Sequence, residues 1–269
     1  MSAGAAAGTP PALREEGNPR PMRDAVAWVV GGSGSLGRAV ADALAAAGAR
    51  VVVSSRHAGN RWAAREGQGA WPHSALELDL SAGARVNRAA REIEERCGRI
   101  DLLVNCSAAP IFGDFLALTD EQWDAVLQAK LLGYMRTMRA VLPGMAERRA
   151  GAIVNISGRG GRQPTPAHLP GSCANAAVNV LTKGLADAYA PYGIRINAIA
   201  PGPIDTPRHH EIADSNAQLK SAASRRLPPV GRLGAPQDIA DAVLFLAGPS
   251  AAFISGITLP VDGGGTATV

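Results

Sequence analysis

The chain has 269 residues, and its 27 basic and 23 acidic side chains give a formal net charge of +4. Hydrophobic residues make up 46% of the composition and charged residues 19%, which indicates one well-buried domain and excludes a disordered chain. No window approaches the roughly 18 apolar residues of a membrane span. The sequence contains no dense basic run with interleaved aromatic residues, which is the pattern that indicates nucleic-acid binding. We therefore expect neither a membrane nor a nucleic-acid partner.

The N-terminal 23 residues are rich in Ala, Gly, Pro and Arg and predict a flexible tail, followed by one domain over residues 24–269. The tail lacks the apolar stretch of a secretory signal, and its acidic residues Glu15 and Glu16 disfavour a transit peptide. The three cysteines show no CxxC spacing. They predict neither a disulfide framework nor a metal site, and they fit a reducing cytoplasm.

From Ala25 onward, short apolar runs alternate with longer stretches of helical periodicity. Most of the short runs are apolar on both faces, as in parallel strands covered by helices. The strand candidates are Ala25–Gly31, Arg50–Ser55, Ala75–Leu80, Ile100–Cys106, Ala152–Ser157, Arg195–Ile199 and Ile257–Val261. The alternation predicts an α/β fold: a single-domain, Rossmann-like, doubly wound parallel sheet of about seven strands flanked by helices.

The helices between these strands are visible as apolar stripes. The first carries Leu36, Val40, Leu44 and Ala47, with Gly48 as a C-terminal cap. A long helix over residues 120–142 begins near Thr119–Asp120. It is predicted from the stripe Trp123, Leu127, Leu131, Tyr134 and Met138. A second long helix is predicted over residues 172–190.

A glycine-rich turn joins the first strand to the first helix, with the sequence Gly31-Gly32-Ser33-Gly34-Ser35-Leu36-Gly37. Three of its glycines satisfy G-x-G-x-x-G. Glycine permits the tight turn and lets the backbone approach a pyrophosphate, while the helix N-terminus offers free N–H groups to phosphate. In this strand–turn–helix context the motif predicts a dinucleotide site.

The second strand ends at Ser55-Arg56, and Arg56 lies 19 residues beyond Gly37. NAD sites carry an acidic residue about 20 residues on, to bind the ribose 2′-hydroxyl. A hydroxyl and a guanidinium suit a 2′-phosphate instead, so we expect NADP(H) in preference to NAD(H). The cofactor is either consumed or structural. The alternative is that Arg56 is an ordinary surface residue.

The chain from about residue 24 to 266 resembles the short-chain dehydrogenase/reductase family in its single-domain form. The resemblance includes the glycine turn, Leu78-Asp79-Leu80, a fourth-strand segment beginning Asp101 and containing Asn105, the stretch Pro201–Thr206, and the closing Val261-Asp262-Gly263-Gly264. The motifs and the resemblance together assign the cofactor to Gly31, Gly32, Ser33, Gly34, Ser35, Leu36, Gly37, Ser55, Arg56, Asp79, Leu80, Asn105, Pro201, Gly202, Ile204 and Thr206.

The same resemblance implies a catalytic tyrosine, a lysine four residues later, a serine, and an asparagine on the preceding long helix. The tyrosine moves the proton, the lysine tunes it, the serine polarises the substrate oxygen and the asparagine holds a relay water. All four residue types are replaced. Gly171 occupies the tyrosine position, Asn175 the lysine position, Gly158 the serine position and Lys130 the asparagine position. The chain has only three tyrosines, and none lies near this segment.

Three residues become the candidate catalytic groups: Lys130, His168 and Asn175. Lys130 and Asn175 exchange the two side-chain types across the site. We expect Lys130 to reach the substrate or cofactor region; the alternative is that it extends to solvent or a subunit interface. His168 precedes Gly171 by three residues and is expected either to enter the space of the missing tyrosine or to stay exposed.

Other side chains near these positions have simpler interpretations. Cys173 is either a nucleophile or a small hydrophobe, and His209-His210 belong to a lid over residues 203–230. We expect a small-molecule substrate and a homodimer or homotetramer through the two long helices.

Three functions stay open on these observations. The first is an NADP(H)-dependent oxidoreductase for a carbonyl, alcohol or enone substrate, with a relocated proton donor. The second is a non-redox dehydratase, cyclase or isomerase, for which the glycines at positions 158 and 171 suggest a roomy pocket. The third is a non-catalytic partner subunit.

Overall fold

Seven parallel strands lie in one sheet in the order β3-β2-β1-β4-β5-β6-β7 in the computed structural model, which describes residues 22–56, 73–207, 209–210 and 227–267. The strands are β1 Val26–Val30, β2 Arg50–Ser55, β3 His73–Glu77, β4 Leu102–Asn105, β5 Gly151–Ile156, β6 Ile194–Pro201 and β7 Thr258–Val261. The helices are α1 Ser35–Ala46, α2 Gly83–Cys97, α3 Asp120–Leu127, α4 Gly133–Arg148, α5 Leu169–Tyr189 and α6 Pro236–Ala247.

Side chains alternate along each strand and build a separate core on each face of the sheet. In β1, Val26, Trp28 and Val30 pack with α2, α4 and α5, while Ala27 and Val29 pack with α1 and α6. Both faces of the central strands are therefore buried, which explains their continuous apolar sequences. The predicted doubly wound α/β fold is confirmed.

The strand order reverses between β1 and β4. Chain connections leave these two neighbours in opposite directions, so a crevice opens beyond their carboxyl ends, where ligands of open α/β sheets bind. The glycine turn, the ends of β2 and β4, and the start of α5 all meet this edge. The topology thus collects the candidate residues from distant parts of the sequence.

The predicted long helix over 120–142 is present and continues to Arg148, but a π turn interrupts its α-helical hydrogen bonding. Thr119 does start it, with a capping box in which its side chain and that of Gln122 bind each other's backbone N–H. A π turn, Gln128–Leu132, then separates α3 from α4, which continues to Arg148. The extra residue of a π turn shifts the helix register, so a single 3.6-residue stripe does not describe the segment.

Most strand bounds differ from prediction by one or two residues, and two boundaries differ for a visible reason. The third strand is predicted at Ala75–Leu80 but runs from His73 to Glu77, because Asp79 turns the chain by accepting a hydrogen bond from the Ser81 N–H. The domain includes Met22, which is buried and donates its N–H to Ala47. Residues 1–21 of the predicted tail, and residues 208 and 211–226 of the predicted lid, lie outside the described residues.

Candidate active site

A cleft of about 480 Å³ opens at the carboxyl edge beside the β1–β4 crevice. Of the predicted cofactor residues, it is lined by Gly31, Ser33, Gly34, Ser55, Arg56, Asp79 and Leu80. Cys106, Ser107 and residues of α3 and the π turn complete its wall. The cleft joins the glycine turn to the ends of β2 and β4, as a dinucleotide would require.

The glycine turn is compact because side chains have no room there. A Cβ on Gly37 would overlap the carbonyl oxygen of Gly31, and one on Gly32 would lie 2.8 Å from the Cβ of Val53. Gly31 also has a positive φ of 81°. Helix α1 begins after Gly34 with no side-chain cap, so no side chain of the described residues occupies the N–H groups of its first turn. The turn fits a pyrophosphate.

The end of β2 carries an unpartnered polar atom. Ser55 Oγ is buried and makes no hydrogen bond within the described part of the chain, and Arg56 lines the same wall. Asp79 faces them, with its pKa lowered by the hydrogen bond from the Ser81 N–H and, more weakly, by the charge of Arg56. A hydroxyl without a partner beside a guanidinium suits a ribose phosphate.

Four predicted cofactor residues lie away from this cleft, namely Pro201, Gly202, Ile204 and Thr206. Pro201 ends β6 and the other three follow it, and Gly202 packs so closely on Asp262 that a Cβ would lie 2.7 Å from its Cα. The turn residues Gly32, Ser35, Leu36 and Gly37 are not among the residues that line the cleft.

Asn105 belongs to a buried polar chain rather than to the cleft wall. Its Oδ1 accepts from Thr137 Oγ1 at 2.8 Å, and its Nδ2 donates to Asn155 Oδ1 at 2.9 Å. Asn155 Nδ2 in turn donates to Thr182 Oγ1 at 3.0 Å. The chain ties α4 through β4 and β5 to α5.

Lys130 projects from the π turn into the protein rather than into solvent. It is 8% exposed, and its Nζ donates to the carbonyl oxygen of Ser157 at 2.7 Å. The ammonium also lies 5.8 Å from the ring centroid of Tyr134. Ser107 Oγ binds the carbonyl of Ala129 at 2.7 Å and ties the π turn to the end of β4. The alternative expectation, that Lys130 extends to solvent, is wrong.

His168 lies in the space of the missing residue-171 side chain. A Cβ on Gly171 would overlap Nε2 and Cε1 of the imidazole and lie 2.7 Å from Cδ2. The ring stacks on Phe112, with centroids 4.1 Å apart, and Nδ1 lies 3.0 Å from the carbonyl oxygen of Ile111. Burial, opposed by the Ile111 hydrogen bond and aided by the positive charge of Lys130, lowers the pKa of His168.

Asn175 fills the second glycine space. A Cβ on Gly158 would lie 2.7 Å from Nδ2 and 3.2 Å from Cγ of Asn175. The sequence suggested a roomy pocket at these two glycines, but His168 and Asn175 occupy the space that the missing side chains leave. The substitutions therefore form a repacked site and not a cavity.

Two reactive side chains beside Lys130, Cys106 and Tyr134, are unsuited to proton transfer near neutral pH. Burial raises the pKa of Cys106 to about 12, despite the opposing charge of Lys130. Burial also raises the pKa of Tyr134 far above its usual value, and its hydroxyl donates to the carbonyls of Ser107 and Ile156. Cys173 is exposed, and His210 pairs with Asp205 at 2.7 Å on the surface.

Sequence reasoning missed the residues that hold His168. Phe112 and Ile111 lie more than 50 residues earlier in the chain, and no periodicity connects them to residue 168. The only available signal was that the loop after β4 is unusually apolar.

The described residues hold neither a metal cluster nor a membrane span. No group of three or more His, Cys, Asp or Glu side chains among them is placed to hold a metal ion. None of the described helices is both long and apolar enough to span a membrane.

Comparison with known proteins gives matches over almost the whole domain. A family model described as enoyl-(acyl carrier protein) reductase matches residues 31–266. The 3-oxoacyl-acyl-carrier-protein reductase FabG of Vibrio harveyi is 34% identical over 89% of this chain and 96% of its own length. The acetoacetyl-CoA reductase of Shinella zoogloeoides is 37% identical over 89% of this chain and 97% of its own length. A solved structure of ElxO with NADP bound superposes with a TM-score of 0.83 at 28% identity, covering 91% of this chain and 99% of that one.

Proposed function

Because the chain belongs to the short-chain dehydrogenase/reductase family of oxidoreductases, we propose that it is an NADP(H)-dependent enzyme for a carbonyl, alcohol or enone substrate. In this proposal His168 moves the proton at the substrate oxygen. The observation that carries it is the position of the imidazole, which fills the space where a side chain on residue 171 would begin. A titratable ring thus replaces the family's tyrosine at the same point of the fold.

The glycine turn, Ser55, Arg56 and Asp79 would hold the dinucleotide. When bound, it supplies or accepts a hydride. The unpartnered Ser55 hydroxyl and the Arg56 guanidinium support NADP(H) over NAD(H), since both suit a 2′-phosphate. The NADP bound to ElxO, which shares this fold, supports the same choice.

The hydrogen bond to Ile111 sets the tautomer of His168. A carbonyl oxygen only accepts, so Nδ1 carries the proton. Because the pKa is lowered, the neutral ring predominates at neutral pH, and its Nε2 presents a lone pair. Nε2 then takes the hydroxyl proton when an alcohol is oxidised. In the reverse direction the ring is protonated by solvent first and gives that proton to the carbonyl oxygen.

Lys130 and Asn175 would complete the site. The ammonium of Lys130 acts electrostatically on both Cys106, which lines the cleft, and His168. Burial is the main cause of the lowered pKa of His168, and the charge of Lys130 adds to it.

The wider assembly is proposed on separate grounds. A homodimer or homotetramer through the two long helices is proposed from the family resemblance, and on α5 the exposed side chain of Val180 is available to such a contact. The substrate is proposed to be a small molecule with one reacting oxygen. The domain is proposed to span residues 24–269 and to include Met22 as well. Three free thiols support a reducing compartment.

The test uses NADPH binding by fluorescence, followed by NADPH oxidation with a panel of ketones, enones and quinones. His168→Gln keeps a polar side chain of similar reach but removes the titrating group. We expect its kcat to fall about 10²–10⁴-fold, with NADPH affinity unchanged. Failure of the wild type to bind NADPH would reject the function. Full activity of His168→Gln would reject the role of the imidazole only.

A second candidate is a non-redox proton-transfer enzyme, an isomerase or dehydratase. It is favoured by the neutral Nε2, which is already a base at neutral pH. Such an enzyme would exchange deuterium into the carbon next to a ketone carbonyl without changing NADPH absorbance. Exchange that requires His168, together with no NADPH oxidation across the panel, would select this candidate over the oxidoreductase.

A further inference from the structure

We infer that the side-chain amide of Asn175 donates a hydrogen bond to the substrate oxygen. This inference rests on the proposed oxidoreductase function and adds a second group to it. Asn175 stands at the position of the family's lysine. Its amide would take over the role of the hydroxyl that a serine at position 158 would offer.

The Asn175 amide and a side chain at position 158 would occupy the same space. The Nδ2 of Asn175 lies 2.7 Å from where a Cβ on Gly158 would stand, so a side chain at 158 and this amide exclude each other. The backbone of Gly158 is extended, at φ 163°, and by itself accepts any residue. The glycine is therefore needed for the amide and not for the backbone.

The Asn175 amide is buried among polar groups that already have hydrogen-bond partners. Asn175 is 6% exposed, its Oδ1 is buried, and its side chain makes no hydrogen bond to any described residue. Nearby groups are already engaged. The Ser157 carbonyl accepts from Lys130, the Ser157 hydroxyl donates to Ile199, and the Gly158 carbonyl accepts from Gly161. With these acceptors engaged, the Nδ2–H groups of Asn175 have no described protein acceptor and are left to donate to a ligand oxygen.

The Asn175 amide lies on the face of α5 that the His168 imidazole covers at Gly171. Gly171 and Asn175 are four residues apart on α5 and lie on one face of the helix. His168 fills the space over Gly171, so the imidazole and the amide occupy successive turns of that face. This end of α5 meets the carboxyl edge of the sheet, where the cleft opens. One substrate oxygen between them would meet an acid and a donor.

The chemistry balances without changing the amide. During reduction the carbonyl carbon gains a hydride, the C=O π pair moves onto oxygen, and the oxygen takes the Nε2 proton of the His168 imidazolium. Asn175 donates through Nδ2–H and retains that proton. The hydrogen bond strengthens as negative charge develops on the oxygen, so it lowers the barrier more than it favours substrate binding.

The experiment compares Asn175→Ala with Asn179→Ala, using the panel ketone or enone that the wild type reduces fastest. Asn179 is a matched control, because it lies one turn further along α5, also has a buried Oδ1 without a partner, and also packs on a glycine, Gly161. We expect Asn175→Ala to lose about 100-fold in kcat with little change in KM. Asn179→Ala should keep the wild-type kcat.

Two further measurements separate catalysis from packing. A ¹³C-labelled ketone bound with NADP⁺ should show a lowered C=O stretching frequency in the wild type and Asn179→Ala, and should lose that shift in Asn175→Ala. The double variant Gly158→Ser with Asn175→Ala places a hydroxyl in the cleared space and should recover most of the lost kcat.

The outcomes are distinct. Unchanged kcat and C=O frequency in Asn175→Ala, with an active wild type, overturn the role of Asn175 and leave the proposed function intact. Equal losses in the Asn175 and Asn179 variants, with no rescue by the serine, show a packing role and also overturn it. No NADPH oxidation by the wild type across the panel overturns both proposals.

Discussion

Gly171→Ala tests whether the space at residue 171 controls the imidazole of His168. The new Cβ would overlap Nε2 and Cε1 of the ring. Backbone and helix are otherwise compatible with alanine, because Gly171 lies in the first turn of α5. The ring is the end of a side chain and moves in preference to the backbone. We therefore expect a local displacement of His168 and an otherwise intact fold.

The magnitude follows from the two contacts that hold the ring. Losing the stack on Phe112 costs about 0.5–1.5 kcal/mol, and losing the hydrogen bond to Ile111 about 1 kcal/mol. Alanine in a helix returns at most about 1 kcal/mol relative to glycine. The net loss of about 1 kcal/mol lowers Tm by roughly 2–4 °C for a domain of this size. Displacement of the proton-transfer group lowers kcat by about 10²–10⁴-fold.

The assay is thermal unfolding together with NADPH oxidation, and Gly184→Ala is the control. Gly184 is on the same helix, and a Cβ there would meet no atom within 4 Å. This variant should gain up to about 1 kcal/mol of stability and keep full activity. If Gly171→Ala is as stable and as active as Gly184→Ala, the placement of His168 and its proposed role are both refuted.

Three further predictions concern charge. Burial and Lys130 lower the pKa of His168, so the kcat for carbonyl reduction should fall as pH rises through a value below the ordinary histidine pKa of about 6.5. The kcat for alcohol oxidation should rise over the same range. Identical pH profiles for the wild type and His168→Gln would contradict this. Arg56→Ala should weaken NADPH binding by about 1.5–3 kcal/mol and NADH binding far less, measured by fluorescence titration; equal losses would reject the NADP(H) preference. Lys130→Met should remove a positive charge near the ring and raise the His168 pKa, shifting the reduction limb to higher pH without abolishing activity; an unshifted limb would show that the charge does not act there.

Much of the fold was predictable because its signals are local. The continuous apolar strands require helices on both faces, and that requirement leads directly to the observed sheet. The cofactor turn was also predictable from its glycine spacing, although one of its close contacts is not local: a Cβ on Gly31 would meet Cys106 and Ser107 just after β4. The chemistry of these positions depends on steric room, which residue types reveal directly.

The repacked active site was not predictable in the same way. The glycines at positions 158 and 171 showed which side chains were missing. They did not show which neighbouring side chains entered the space. His168 is held by Ile111 and Phe112 from a distant loop. The π turn that directs Lys130 inward inserts a register shift that an apolar stripe does not record. These features arise from tertiary contacts.

The buried polar chain from Thr137 to Thr182 links α4 and α5, the helices on either side of the site, into one rigid unit. Its links cross β4 and β5, whose spacing of about 4.8 Å is fixed by the sheet. The distance between the π turn and α5 is therefore fixed by the spacing of the strands and changes little. Adjustment to substrates of different size falls instead on the loop after β4, where Phe115 and Leu116 are exposed. Substrate range would then evolve by exchanging loop side chains, while the proton-transfer geometry stays constant.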